Sequence, residues 1–288
     1  MPLVAAAIMP HGFSVIPDMD NGVDDVKHLR KAMERIGTEF ADVGVDSIVL
    51  VGPHGTRVDG AMALVRTGRA AGSILYGGKS VEMNVPVDHE LVDLIVAGVT
   101  ADGVPVACVG FGGNRMDQAV APMDWGAIGP LWFLGHDQDR TGYGNVLAPT
   151  PEGDEGPPVV LITPSRALDR DTQIAFGRSL GRIFQESNRN IGFVASCDWS
   201  HVHSESGPYG AHPIARQMDD TIQIAIRGND LASLKYLPEP DVEVAAIDGL
   251  WQCLILAGIQ ERVPLRSELL SYGIDGYYSM IVASFMPE

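Results

Sequence analysis

The stretch Ile191-Gly192-Phe193-Val194-Ala195-Ser196-Cys197-Asp198-Trp199-Ser200-His201-Val202-His203 begins as an apolar, partly β-branched run and ends in polar side chains able to do chemistry. Its first half reads as a buried strand. An open α/β sheet forms its ligand crevice beyond the C-terminal ends of its strands, where this segment delivers Asp, Ser and two His. The pattern occurs twice more. Leu3 to Met9 is apolar and runs into Pro10-His11-Gly12, and Ser47 to Val51 runs into Gly52-Pro53-His54-Gly55. Three strand-like segments thus each hand a histidine to a turn.

Working outward, Asp24 to Val43 places Val26, Leu29, Met33, Ile36, Phe40 and Val43 at steps of three and four, one apolar stripe of a helix. Strand, helix, strand over residues 3–51 implies a parallel pair with a crossover helix, with His11 and His54 on neighbouring turns. Further strands are expected at Ser73 to Tyr76, Val104 to Val109, Val159 to Thr163 and Tyr277 to Phe285. Helices are expected at Val87 to Ala101, capped by Asp88, and at Arg170 to Ser187, Pro213 to Arg227 and Val242 to Gln260. Phe111 to Pro130 reads as loop, and Gly153 to Pro158 as a surface insertion. With no internal repeat or linker, the expectation is a single α/β domain over residues 1–288. Its central sheet is mostly parallel or mixed, with helices on both faces.

The bulk numbers exclude some classes. At 288 residues, 45% hydrophobic and 20% charged, the chain can bury a sizeable core. A formal charge of -17 argues against nucleic-acid or anionic-membrane partners, which require a basic surface. Three cysteines without CxxC spacing give no disulfide framework, and neither a signal peptide nor a membrane span is legible, so a cytoplasmic location is expected.

Of the eight histidines, His28 and His89 read as solvent-facing, and His136 and His212 as loop residues. His11 and His54 share a context, each between Pro and Gly at a strand end, which suits a turn that aims one side chain. Two unrelated turn histidines is the simpler alternative. Side by side, two imidazoles suit a borderline metal such as iron or zinc, and a carboxylate would complete a facial triad with open positions. The helix at Val242 to Gln260 is the best source for that carboxylate. Asp248 lies there among Ala245, Ala246, Ile247, Leu250, Trp251 and Leu254, where an unpaired charge is costly. Glu243, nearer the helix start, is the second choice. His201 suits proton transfer near neutral pH, and its simpler reading is a structural histidine at the strand end. His203 is a plausible substrate contact, since alternation in an extended segment puts it on the same side.

These residues, in this order, resemble the class III extradiol ring-cleavage dioxygenases, in particular the catalytic subunit of the protocatechuate 4,5-dioxygenase type. The resemblance extends to Pro86-Val87-Asp88-His89-Glu90-Leu91, Gly129-Pro130-Leu131, Gly207-Pro208-Tyr209-Gly210, Leu270-Ser271-Tyr272 and Tyr277-Tyr278-Ser279-Met280. It implies an Fe(II) enzyme that opens a small catechol-type or aminophenol-type aromatic ring with O2. His11 and His54 would be iron ligands and His201 the acid–base residue, with the late carboxylate, usually Glu, falling in the helix that holds Asp248. A homodimer or larger oligomer, possibly with a small second subunit, is implied as well. One departure stands out. Where the family often has Asp-His-Gly, this chain has Asp124-Trp125-Gly126, and Trp125 in a substrate-contact position implies a different substrate, an altered mechanism or weakened activity. Competing readings are a Memo-like protein of the same architecture, a non-catalytic partner subunit, and a zinc hydrolase.

Overall fold

A computed structural model of the chain describes residues 2–112, 115, 119–137 and 156–288. The first three residues of the expected insertion at Gly153 to Pro158 lie outside the described residues. The strand Ile191–Ser196 (β9) is buried along its whole length. It runs parallel to Leu3–Met9 (β1) on one side and to Ser47–Val51 (β2) on the other. The first two strands are therefore not neighbours, because the late strand inserts between them. Val159–Thr163 (β8) extends the parallel set beyond β2. Every residue of β2, β8 and β9 is buried, which requires cover on both faces and explains their unbroken apolar runs.

The sheet is mixed at its flanks. Met62–Val65 (β3) pairs antiparallel with β8 and parallel with Val106–Val109 (β6). At the other edge, Leu265–Asp275 (β10) and Tyr278–Pro287 (β11) form a hairpin, and β11 joins β1 antiparallel. The eight-stranded order is β10-β11-β1-β9-β2-β8-β3-β6. A smaller three-stranded sheet holds Arg69–Tyr76 (β4), Lys79–Pro86 (β5) and Val120–Pro122 (β7). The turn between β4 and β5 is Gly77-Gly78, both at positive φ, where a side chain would be strained.

The helices follow their apolar stripes. Asp24–Asp42 (α1) buries Val26, Leu29, Met33, Ile36 and Phe40. Asp88 caps His89–Ala101 (α2), its carboxylate accepting from the Leu91 N–H at 3.0 Å. Arg170–Glu186 (α4) and Ile214–Arg227 (α5) lie close to their expected bounds. Among the described residues no helix is long and apolar enough to cross a membrane.

Three expectations are corrected. Phe111 to Pro130 is not all loop: it contains β7 and the helix Trp125–Leu131 (α3), while residues 113–114 and 116–118 lie outside the described residues. Val242 to Gln260 is two helices, Glu239–Ala245 (α6) and Leu250–Gln260 (α7). The break is Ala246, in the left-handed region at φ 51°, followed by an irregular turn to Gly249. Sequence periodicity ran across it because both helices are apolar. His89 is half-buried, its ring nitrogen on the Thr67 carbonyl rather than in solvent.

Helices α4 and α7 cross with almost no space between backbones. A Cβ on Gly177 would lie 1.9 Å from the Ile255 carbonyl oxygen, and one on Gly258 would lie 2.0 Å from that of Ile174. Because α7 follows directly on the turn holding Asp248, this crossing also positions the site. Gly258→Ala is expected to lower unfolding stability by roughly 1–3 kcal/mol through overpacking, measured by urea denaturation, whereas Leu94→Ala, on the exposed side of α2, should cost less than about 1 kcal/mol.

Candidate metal centre

Beyond the C-terminal ends of β1, β9 and β2 lies a cavity of about 720 Å³ lined by His11, His54, Asp198, His201 and Asp248, among others. The strand register brings them together. Met9 stands opposite Ser196 and Val51 opposite Ala195, so all three strands end level and their turns open on one crevice. The His11 and His54 rings meet edge to face with centroids 5.1 Å apart.

Hydrogen bonds fix how each imidazole faces the cavity. Ser196 Oγ donates to the Gly126 carbonyl at 2.5 Å, so it accepts from His11 Nδ1 at 3.0 Å. His54 Nδ1 lies 3.1 Å from Asp124 Oδ2, and an ionised carboxylate only accepts. Both rings therefore carry Nδ1–H and leave Nε2 as the donor atom. Orientation of a metal-binding histidine by a carboxylate or hydroxyl at its other nitrogen is a recurrent device. The same Asp124 caps α3 through the Gly126 N–H at 2.9 Å.

Two carboxylates meet His11, and each has one oxygen tied to backbone. Asp248 Oδ1 accepts from the Asp198 N–H at 2.9 Å, and Asp198 Oδ1 accepts from the His11 N–H at 3.1 Å. Their Oδ2 atoms each lie 3.4 Å from His11 Nε2. Ligand-capable atoms of His11, His54 and Asp248 all lie within 4.8 Å of one another, so these three can hold a metal ion. Glu243 lines the wall from α6 but is not in this group.

A family model described as the catalytic LigB subunit of aromatic ring-opening dioxygenases matches residues 5–282. The chain belongs to this family. It is 23% identical over 267 residues to Protein CA_C1420 of Clostridium acetobutylicum, a match covering 92% of this chain and 53% of that protein. The LigB-family chain thus spans about half the length of this curated relative. Its fold is also similar to the crystal structure of uncharacterized protein JW3007 from Escherichia coli K12, with a TM-score of 0.60, 16% identity and coverage of 98% and 99% of the two chains.

The remaining site candidates of this LigB-family chain fall on both sides of the cavity wall. His201 faces the cavity. Its Nδ1–H donates to the Trp199 carbonyl at 2.6 Å, so the neutral ring keeps Nε2 as an acceptor. It stacks on Tyr278 with centroids 5.7 Å apart, and Tyr277 and Tyr209 flank it. His203 does not face the cavity. Its Nε2 meets Asp219 on α5 at 2.8 Å, and Tyr272 donates to the same carboxylate oxygen at 2.9 Å. Alternation failed because the segment past β9 is pulled two ways. The His201 N–H bonds the Ala245 carbonyl, whereas the His203 N–H bonds that of Tyr277. Trp125 is at the cavity wall, its ring 4.4 Å from that of His54 and 5.9 Å from that of Phe13. His136 is buried with Nε2 on the Pro157 carbonyl, and His212 Nδ1 accepts from the Ile214 N–H. Sequence reasoning missed Ser196 and Asp124, the orienting partners; the helix-capping context of Asp124 ahead of Gly126 was the only local signal for either.

The charges are strongly coupled. Burial pushes the His11 imidazolium down, but Asp198 and Asp248 outweigh burial and hold its pKa up at about 9. For Asp248, burial pushes upward, and His11 and the other imidazoles bring it below the usual value. Asp198 stays above its usual value, chiefly through burial, with Asp248 adding to it. A folded-state pKa raised from 6.5 to about 9 gives a stabilisation fully present below the lower value and lost as pH rises through the upper one. The cation-free chain is therefore expected to lose stability from about pH 7 to about pH 9. Urea unfolding across that range checks this, and His11→Gln should flatten the profile.

Proposed function

We propose that this chain is a non-haem Fe(II)-dependent extradiol dioxygenase that opens the ring of a catechol-type aromatic with O2. The reading rests above all on one observation: two imidazoles with Nδ1–H committed elsewhere, and one carboxylate, present donor atoms together at the floor of a cavity that also holds His201. Two His and one carboxylate on one side leave coordination positions open, as oxygen-using ferrous sites require. The donor set fits the ion chemically: neutral nitrogens, one anionic oxygen, and fixed orienting partners. His11, His54 and Asp248 would hold it. When bound, the ferrous ion supplies Lewis acidity and the electron-transfer route between ring and dioxygen.

The rest falls to the chain's own side chains. Phe13, Tyr76 and Trp125 form an aromatic wall, with Phe13 5.3 Å from Tyr76, that accepts a flat ring and keeps water off it. His201 Nε2 takes the proton of a ring hydroxyl, and the Trp199 carbonyl steadies the imidazolium that forms. The same proton is then available to the departing oxygen when the ring opens. Tyr278 stacks on the His201 ring and holds its plane. Stabilising a developing negative charge on the substrate is left to His201, because Trp125 brings only an indole N–H as a donor.

Chain reconstituted anaerobically with ferrous ion is expected to consume O2 on catechol addition and to form a yellow ring-opened product. His201→Ala should lower kcat by about 10²–10⁴-fold while ferrous-ion binding, followed by titration, stays within a few-fold of the parent. Asp248→Ala should abolish both. Zinc retention without oxygen uptake would refute the proposal.

A further inference from the structure

On the other side of His54 lies a second, much smaller cavity of about 30 Å³. Its apolar walls include Leu50, Val65, Ala127, Leu161 and Ile162, all buried, and its rim toward solvent is Gly55, Thr56 and Pro122. Among the described residues His54 alone lines both this cavity and the large one. The turn Asp124-Trp125-Gly126 completes the partition, with Trp125 toward the large cavity and Asp124 and Gly126 toward the small one. Gly126 leaves an edge of the imidazole uncovered: a Cβ there would lie 3.0 Å from both Cε1 and Nδ1 of His54.

Polar groups on these walls are already bonded to one another. His54 Nδ1 donates to Asp124 Oδ2, Asp124 Oδ1 accepts from the Gly126 N–H, and Thr163 Oγ1 donates to the His54 carbonyl at 3.0 Å. The Gly52 N–H donates to the Ile162 carbonyl, also at 3.0 Å. A buried water needs roughly 10–15 Å³ of space and two to four polar partners, and apolar cavities that lack such partners stay dry and take up xenon or similar apolar guests. Here the room exists and these partners are taken. The space suits one diatomic molecule and is far too small for an aromatic ring.

From this geometry we infer that the small cavity binds a small apolar gas, and that it admits dioxygen to the metal-binding residues from the side opposite the aromatic substrate. Binding of the gas does not depend on the ring-opening reading; its use as a dioxygen route rests on that reading. An aromatic ring seated on Phe13, Tyr76 and Trp125 fills the large cavity, and the rim at Gly55 and Pro122 is a separate way in. Dioxygen, unlike water, loses no hydrogen bonds on entering a hydrocarbon-lined space. Once beside the Cε1 edge of His54, it is one imidazole away from the Nε2 that would ligate the metal. That ring is only half-buried, so a brief swing of the side chain opens the last step.

Crystals of the ferrous-loaded chain, kept anaerobic and pressurised with xenon, are expected to show a xenon atom between Ala127, Leu161 and His54. Ala127→Val should exclude it by filling the space, and Leu161→Ala should raise its occupancy by enlarging the cavity. In oxygen-uptake kinetics Ala127→Val should raise KM for O2 severalfold and leave KM for catechol unchanged. Should that variant fail a circular-dichroism check for folding, Val65→Ile narrows the same space and decides. An ordered water at this position, no xenon there in the parent, or an unchanged KM for O2 in a folded variant that has lost the xenon would overturn the inference. Xenon in the cavity of a chain that consumes no O2 with any catechol would keep the gas site and sink the dioxygenase reading; O2 uptake with catechol by a chain whose small cavity holds water would do the reverse.

Discussion

Everything at the centre depends on the parallel register of β1, β9 and β2. Backbone pairing of Met9 with Ser196 and of Val51 with Ala195 sets the level at which three chains leave the sheet, and the Cys197 N–H to Met9 carbonyl bond at 2.9 Å closes it. A slip of one residue would turn each strand's side chains to the opposite face and exchange the Ser196 hydroxyl for a neighbour that cannot accept from His11. The fully buried, apolar strands make such a slip costly. Burial of hydrocarbon thus fixes the position of the polar atoms at the strand ends.

That scaffold carries an electrostatic load. Asp198 and Asp248 converge on one imidazole in a buried region, and burying charge without a partner is expensive. Each acid is made tolerable by a backbone N–H on one oxygen and by the imidazolium on the other. A divalent cation bound by His11 would take over the role of that proton, so metal binding and loss of the His11 proton are linked in sign. The site is therefore built around positive charge at a single point, whether a proton or an ion supplies it.

The parts legible in the sequence are those where local pattern and tertiary role coincide. His11 and His54 stood out because apolar strand, Pro, His and Gly occur together, and burial plus turn geometry leave that order few structural solutions. Asp248 was singled out for its apolar surroundings in one long helix, and it lies instead outside both helices. It lies in the turn between α6 and α7, where left-handed Ala246 ends one helix, and Gly249 packs so close that a Cβ would lie 2.6 Å from that of Cys197. No period of 3.6 reports such a break when both flanks are apolar. The insertion of β9 between β1 and β2 was also hidden, since strand order is set by packing across some 140 residues of chain. His203 shows the opposite failure: a period of two was assumed beyond the end of the strand, where separate partners turn each residue its own way.

Trp125 joins these threads. Where the resemblance leads one to expect a histidine, the Trp125 indole sets an apolar surface against His54, with ring centroids 4.4 Å apart, and offers no titratable group to the cavity. The neighbouring Asp124 keeps its bond to His54 Nδ1, so the change leaves the orientation of that imidazole intact. On the ring-opening reading proposed above, His201 would then serve as both proton acceptor and proton donor. The geometry of the ligand set and the chemistry of the wall are thus separable: one follows from strand register, the other from single residues on loops that can change without disturbing it.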